Sequence, residues 1–376
     1  MSAPIPVNEP LLCGNERQYV LSCIESGWLS SEGMFVEQFE RRFAEKVARR
    51  HGIAVCNGTA ALETAVAALD LEPGSEIIVP TFTIISCVAA ILRRGCVPVL
   101  VDCDPATWNM DPEFVEARIT SKTKAIMVVH LYGLPADMAP LLGIARRYGL
   151  FVIEDASQMI GQTYDGSPCG SFGDISTFSF YANKVVTTGE GGMIVASDDR
   201  LARRCRDLRN LCFSSGRRFV HEELGYNFRM TNLQAALGLA QLERMEDAVY
   251  RKREMGRHYT RLLSGVPGLQ LPVPSTGYAD NIYWVYGIVL ADSLPFDADA
   301  AMHALAERGI GTRPFFWPMH EQPVFLKAGL FSGEAYPVAE RIARRGYYVP
   351  SGLALTGEQR ERVCEALDEI IRGGAA

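Results

Sequence analysis

The chain has 376 residues, 48% of them hydrophobic and 22% charged, which gives room for two domains and excludes disorder, collagen and low complexity. Its 37 basic residues against 44 acidic ones leave a net charge of −7, without the electropositive footprint that phosphate-backbone binding requires, so nucleic acid is excluded as a partner. The most apolar stretch, Ile77 to Leu92, is interrupted by Pro80, Thr81, Thr83 and Ser86 and falls short of the roughly 18 apolar residues of a membrane helix, so no membrane association is expected.

The N-terminal stretch 1–6 has no basic start followed by an apolar core, which makes a cytoplasmic location the expectation. From residue 52 to 155 short apolar runs alternate with longer amphipathic ones, the pattern of parallel strands joined by crossover helices. Strands are expected at 53–56, 76–79, 97–102, 125–130 and 150–154, each too short for a helix and β-branched or otherwise apolar. Helices are expected at 60–69, 84–94 and 136–148, the last two closed by Gly95 and Gly149 in the left-handed cap position. Beyond Asp155 the segments become short and glycine-rich, with strands at 176–181 and 192–197 forming a hairpin-like excursion around the turn at 187–191. A helix over 198–209 and one long helix from 231 to about 263 follow, after which Pro267, Pro272 and Pro274 mark a linker. The remainder carries a strand at 282–290, a helix at 297–308 and a final helix opened by a capping box from Thr356 to Gln359. The organisation predicted is a large α/β domain over 1–245 and a smaller C-terminal α+β domain over 246–376.

Ten cysteines form no C-x-x-C pair and six histidines no H-E-x-x-H, so no metal site is expected. Six lysines stand against 31 arginines, and a lysine in an apolar setting therefore draws notice. Lys184 leaves the apolar run 178–183 and enters the glycine-rich turn that follows. Desolvation there would lower its pKa and free the amine for Schiff-base chemistry, although a lysine that snorkels to solvent at a strand end would look the same. Asp155 ends an apolar strand, where ligands of open α/β sheets bind, or where a turn or helix cap would also place an aspartate. Asn57-Gly58-Thr59 joins the first strand to its helix and offers free N–H groups to an anion, though it is also common turn punctuation. Together the three suit a ligand with a phosphate, a ring that benefits from a buried acid, and an aldehyde. Pyridoxal 5′-phosphate has all of these, and neither a P-loop nor a G-x-G-x-x-G between first strand and helix competes.

The strings 56–59 (CNGT), 153–158 (IEDASQ), 177–184 (TFSFYANK), 188–192 (TGEGG) and 225–230 (GYNFRM) resemble those of the sugar aminotransferases of the DegT/DnrJ/EryC1/StrS family, and the resemblance runs through nearly the whole chain. It implies a fold-type I aminotransferase, with a mostly parallel mixed sheet in the large domain, acting as a homodimer with shared active sites. In this reading Lys184 bonds the cofactor and then moves the proton, while pyridoxamine 5′-phosphate forms in the cycle. Asp155 pairs with the pyridine nitrogen and Gln158 with the phenolic oxygen. Gly58, Thr59 and Ser179 hold the phosphate, joined by Asn227 reaching over from the partner subunit. Lysine rather than histidine at 184 argues for transamination over dehydration.

Within the family, the stretches 15–17, 27–31 and 313–320 resemble members that aminate GDP-4-keto-6-deoxymannose with L-glutamate as donor. Trp28, Ser30, Arg313, Phe316 and His320 are the residues implied for the sugar-nucleotide side, arginine suiting a diphosphate through its planar donors. Two departures stand out: Ile84 occupies a position where an aromatic residue commonly covers the cofactor ring, and Gln158 one where these members tend to carry glutamate. A dTDP-linked 4-keto sugar or a keto-cyclitol is the nearer rival substrate. A binding or regulatory protein that keeps the fold without turnover is the rival of another class.

Overall fold

The computed structural model describes residues 3–213 and 219–373; Met1 and Ser2 of the N-terminal stretch lie outside them. Seven strands form the larger sheet: β1 (His51–Val55), β2 (Glu76–Pro80), β3 (Val97–Val101), β4 (Thr123–Val129), β5 (Phe151–Asp155), β6 (Ile175–Ser179) and β7 (Gly192–Ala196), in the order β1-β7-β6-β5-β4-β2-β3. Only β7 runs against the others, pairing antiparallel with both β1 and β6. The expected hairpin is therefore real, and its second strand is inserted into the sheet. Its entry is tight, since a Cβ at Gly192 would lie 2.5 Å from the Asn57 carbonyl oxygen.

Period-two alternation gives the sheet two apolar faces. Ile53, Ile77, Met127, Ile153 and Ile194 pack on one side beneath the helices Gly58–Ala68, Ile85–Arg93 and Asp199–Arg209. Ala54, Ile78, Ile126, Val152 and Met193 pack on the other beneath Met34–Lys46, Met138–Tyr148 and Asn232–Leu242. The helix Met34–Lys46, with Phe35, Phe39 and Phe43 buried at helical spacing, was not among the predicted elements, nor was Glu16–Ser26.

The single helix expected over 231–263 is two, Asn232–Leu242 and Met245–Leu263. The break at Glu243 and Arg244 follows a change of packing partner: the first segment lies against Glu16–Ser26 and Met34–Lys46, the second against the final helix Gly357–Gly373. A second sheet collects β8 (Leu269–Gln270), β9 (Tyr286–Leu290), β10 (Arg313–Pro314) and β11 (Gly346–Val349) in the order β8-β9-β11-β10, all antiparallel. Tyr259, Tyr286, Ile288, Leu290 and Leu367 form its core. The strand expected from 282 begins only at Tyr286, because Tyr283 takes a left-handed φ of 51° and its N–H is held by Asn281 Oδ1 at 2.6 Å. This bent approach carries Trp284 toward the first sheet. The final helix opens as predicted, with reciprocal Thr356 and Gln359 bonds of 2.9 and 3.2 Å. Among the described residues, no helix is long and apolar enough to cross a membrane.

Candidate active site

A cavity of about 750 Å³ opens at the carboxyl ends of the parallel strands, the place such sheets offer to ligands. Asp155 ends β5 and is 3% exposed; its Oδ1 accepts from the Ser157 N–H at 3.0 Å and its Oδ2 faces the Cys87 thiol at 3.6 Å. The preceding Glu154 points to the other face of the sheet, as strand alternation requires. It accepts from His130, Ser176 and the N–H groups of Gly170, Phe172 and Gly173. Burial would raise its pKa, but the His130 bond and these N–H donors outweigh that and hold its carboxyl below the ordinary range. With Ala136 N–H donating to Nδ1, His130 carries its proton on Nε2 toward Glu154.

Lys184 follows a turn closed by its own N–H on the Tyr181 carbonyl at 2.9 Å. Lys184 is half-buried as a residue, and its amine is crowded by protein. Burial lowers its pKa to about 7, against an upward pull from Asp155. The amine lies 3.8 Å from the centroid of the Trp284 ring.

The anion end lies at the start of the helix Gly58–Ala68. Asn57 caps it through its side chain to Ala60 N–H at 2.8 Å and its carbonyl takes Ala61 N–H, which leaves the Gly58 and Thr59 N–H groups at the open helix end on the cavity wall. Gly58 is required by proximity: a Cβ there would lie 2.8 Å from Ser179 Cβ. Thr59 and Ser86 hydroxyls meet at 2.8 Å beside it. Gln158 gives its carbonyl oxygen to Tyr132 N–H, leaving its NH₂ as a donor, and the Asn183 Oδ1 is buried without a partner among the described residues. An acid, an enclosed amine, an amide donor and an uncovered helix end in one cavity are the donor set that pyridoxal 5′-phosphate demands, and the cradle at Gly58 is one that a side chain would fill.

The cavity thus brings together Lys184, Asp155, Gln158, Gly58, Thr59, Ser179 and Ile84, and adds Arg313 and Phe316 from the second sheet and its following loop. It does not bring in the other four. Asn227 is exposed elsewhere on the chain, so a role at this site would require a second copy. The side chains of Trp28 and Ser30 are exposed, while their carbonyls accept from Asn232 at 2.8 and 2.6 Å. His320 is buried off the cavity wall, with Nδ1 on Thr81 Oγ1 at 2.9 Å and Nε2 on Glu340 at 3.1 Å, so both nitrogens have partners. Sequence reasoning missed Trp284, Tyr132 and His130 on the wall. Trp284 lies 100 residues from Lys184, and no local pattern links them.

The profile of the DegT/DnrJ/EryC1/StrS aminotransferase family matches residues 11–368. The chain is 41% identical over 366 residues to the GDP-perosamine synthase of Escherichia coli O157:H7, covering 97% of this chain and 98% of that protein. It is 42% identical over 368 residues to the GDP-perosamine synthase of Caulobacter vibrioides, covering 98% of each. Among solved structures, the aminotransferase TlmJ from Streptoalloteichus hindustanus superposes with a TM-score of 0.91 at 30% identity, covering 99% of this chain and 100% of that one.

Proposed function

The chain belongs to the DegT/DnrJ/EryC1/StrS aminotransferase family, and from that premise we propose that it transfers the amino group of L-glutamate to C4 of GDP-4-keto-6-deoxymannose, giving GDP-perosamine. The observation that carries the chemistry is Lys184, an enclosed amine brought to about pKa 7 in the same cavity as Asp155. Pyridoxal 5′-phosphate, bound there, would supply the aldehyde for the amine and an electron-poor ring that stabilises a deprotonated carbon.

The residues have distinct tasks. Neutral Lys184 would serve as the nucleophile toward the aldehyde and, with its amine free, as the base that holds and moves a proton. The Asp155 carboxylate would keep a proton on the ring nitrogen. The Gln158 NH₂ would donate to the phenolic oxygen, and the Gly58 and Thr59 N–H groups with the Ser179 hydroxyl would take the phosphate. Ile84 would cover the ring with an aliphatic face. Arg313 and Phe316 stand where a nucleotide would enter, the guanidinium suited to its diphosphate. Trp28, Ser30 and Asn227, exposed in one chain, would join a site shared across a homodimer in the cytoplasm.

Purified protein should be yellow with added cofactor, and borohydride should fix the cofactor mass onto the peptide bearing Lys184. A colourless, unlabelled protein would reject the reading. Glutamate with the GDP-linked ketosugar should give the 4-amino sugar; turnover of the dTDP-linked analogue alone would keep the chemistry and replace the nucleotide.

A further inference from the structure

The Trp284 ring on which the Lys184 amine lies is held from three directions. The indole Nε1–H donates to the Asn183 carbonyl at 2.8 Å. The Tyr132 ring runs parallel to it, with 6.3 Å between centroids and 9° between planes. The Trp284 carbonyl accepts from Lys252 Nζ, also at 2.8 Å. Lys252, on Met245–Leu263, is 1% exposed, and its amine donates in addition to the Ser351 carbonyl. No carboxylate is paired with it among the described residues.

A buried ammonium held only by carbonyl dipoles is an unfavourable strut. Burial first, and then repulsion from Lys184, bring its pKa down to about 7. The two amines meet the same residue, Lys252 at the Trp284 carbonyl at 2.8 Å and Lys184 over its ring at 3.8 Å from the centroid, so a proton on either opposes a proton on the other. Among other ionisable groups on the wall, Asp155 favours the Lys184 ammonium, His130 is tied to Glu154, and Tyr132 is buried with its hydroxyl pKa pushed far up by desolvation. Tyr181, Glu190 and Arg313 are exposed, and Tyr348 is half-buried near Arg313.

Resting on the reading of Lys184 as the amine that carries the chemistry, we infer that Trp284 and Lys252 are positioning residues for it. The indole face receives the Lys184 amine whenever it is not bonded to the cofactor, and Lys252, when protonated, opposes protonation of that amine and so favours its nucleophilic form. Such activation by a neighbouring cation is a known way to make a lysine reactive at neutral pH.

The test uses the full-length cofactor-free protein, labelled with acetic anhydride over a pH series, with Lys184 modification read by mass spectrometry. Lys252→Gln keeps donors for the two carbonyls but removes the charge, and should raise the labelling midpoint of Lys184 by about half a pH unit or more. Lys252→Arg keeps the charge and should leave the midpoint in place. An unmoved midpoint in Lys252→Gln, or an equal shift in Lys252→Arg, overturns the electrostatic role. Trp284→Leu should slow the capture of added pyridoxal 5′-phosphate, followed as appearance of colour, about tenfold, while Trp284→Phe keeps most of the rate. Equal slowing by both, or by neither, overturns the resting-surface role, and this pair decides it even if the Lys252 variants fail to fold. Because labelling needs no cofactor, a protein that never turns yellow yet shows the expected midpoints would remove the proposed function and leave the paired amines standing.

Discussion

Two walls face each other across the cavity. On the inner wall, Asp155 and Ser179 end adjacent parallel strands, Gly58 opens the helix beside them, and Lys184 leaves a turn bonded to its own backbone. On the outer wall, Arg313 and Trp317 are exposed and come from a two-residue strand of the second sheet and the loop after it. The inner groups are fixed by the hydrogen-bond ladder of the core; the outer ones are free to follow whatever binds. Chemistry that needs atoms held in place belongs to the first, and recognition that tolerates rearrangement to the second.

Removing the amine breaks that division most severely. Lys184→Ala should lower amination by about 10⁴-fold with cofactor still bound through its phosphate, measured as steady-state turnover. A variant with native turnover would move the chemistry off the inner wall. Asp155→Asn preserves shape and removes charge, and should cost about 10²-fold in kcat with a smaller change in KM. The pH response of the wild-type protein is next in size. An amine with pKa about 7 is mostly protonated at pH 6 and mostly neutral at pH 8, so the capture rate of added aldehyde should rise about tenfold across that interval and then level off. A rate that keeps climbing about tenfold per pH unit through and beyond pH 8 would mean that Lys184 keeps the ordinary lysine value and is not desolvated in solution.

The two walls also differ in how far they were legible in the sequence. Asp155 follows four apolar residues and Glu154, and Lys184 precedes a glycine-rich turn, so both candidate positions stand at element ends that can be read along the chain. Lys252 is one of only six lysines, which was a usable signal, but its neighbours Arg251, Arg253 and Glu254 make the segment look like a solvated helix face. Its burial comes from the second sheet, and a helical pattern does not say what covers which face. The continuous helix expected over 231–263 failed for the same reason, since each half answers to a different partner. His320 is a candidate only through the resemblance of the stretch 313–320, and the short 3₁₀ turn Met319–Glu321 sets its ring between Thr81 and Glu340, a placement no spacing announces. On the outer wall the spacing between residues says little, because loop geometry decides where each side chain ends.

Arg313→Ala should sharpen the contrast. As an exposed cation it should raise KM for the sugar nucleotide about tenfold with kcat nearly unchanged, and the penalty should shrink at high salt. A fall in kcat matching that of Asp155→Asn would instead make Arg313 part of the fixed machinery.

Ile84 lies on the border between the walls. It is 40% exposed, at the N-cap of the helix Ile85–Arg93, with backbone angles of −73° and 141° that an aromatic residue also adopts. Its side chain is expected to cover the cofactor ring by aliphatic contact alone. Ile84→Phe would add ring-on-ring contact, worth about 0.5–1.5 kcal/mol beyond area burial, so cofactor retention on dialysis should improve by about threefold to tenfold. Turnover should change less, because the groups that move protons stay where the strands hold them. Weaker retention in the phenylalanine variant would show that the space over the ring is already filled, and Ile84 would then belong with the packed inner wall rather than with the adjustable outer one.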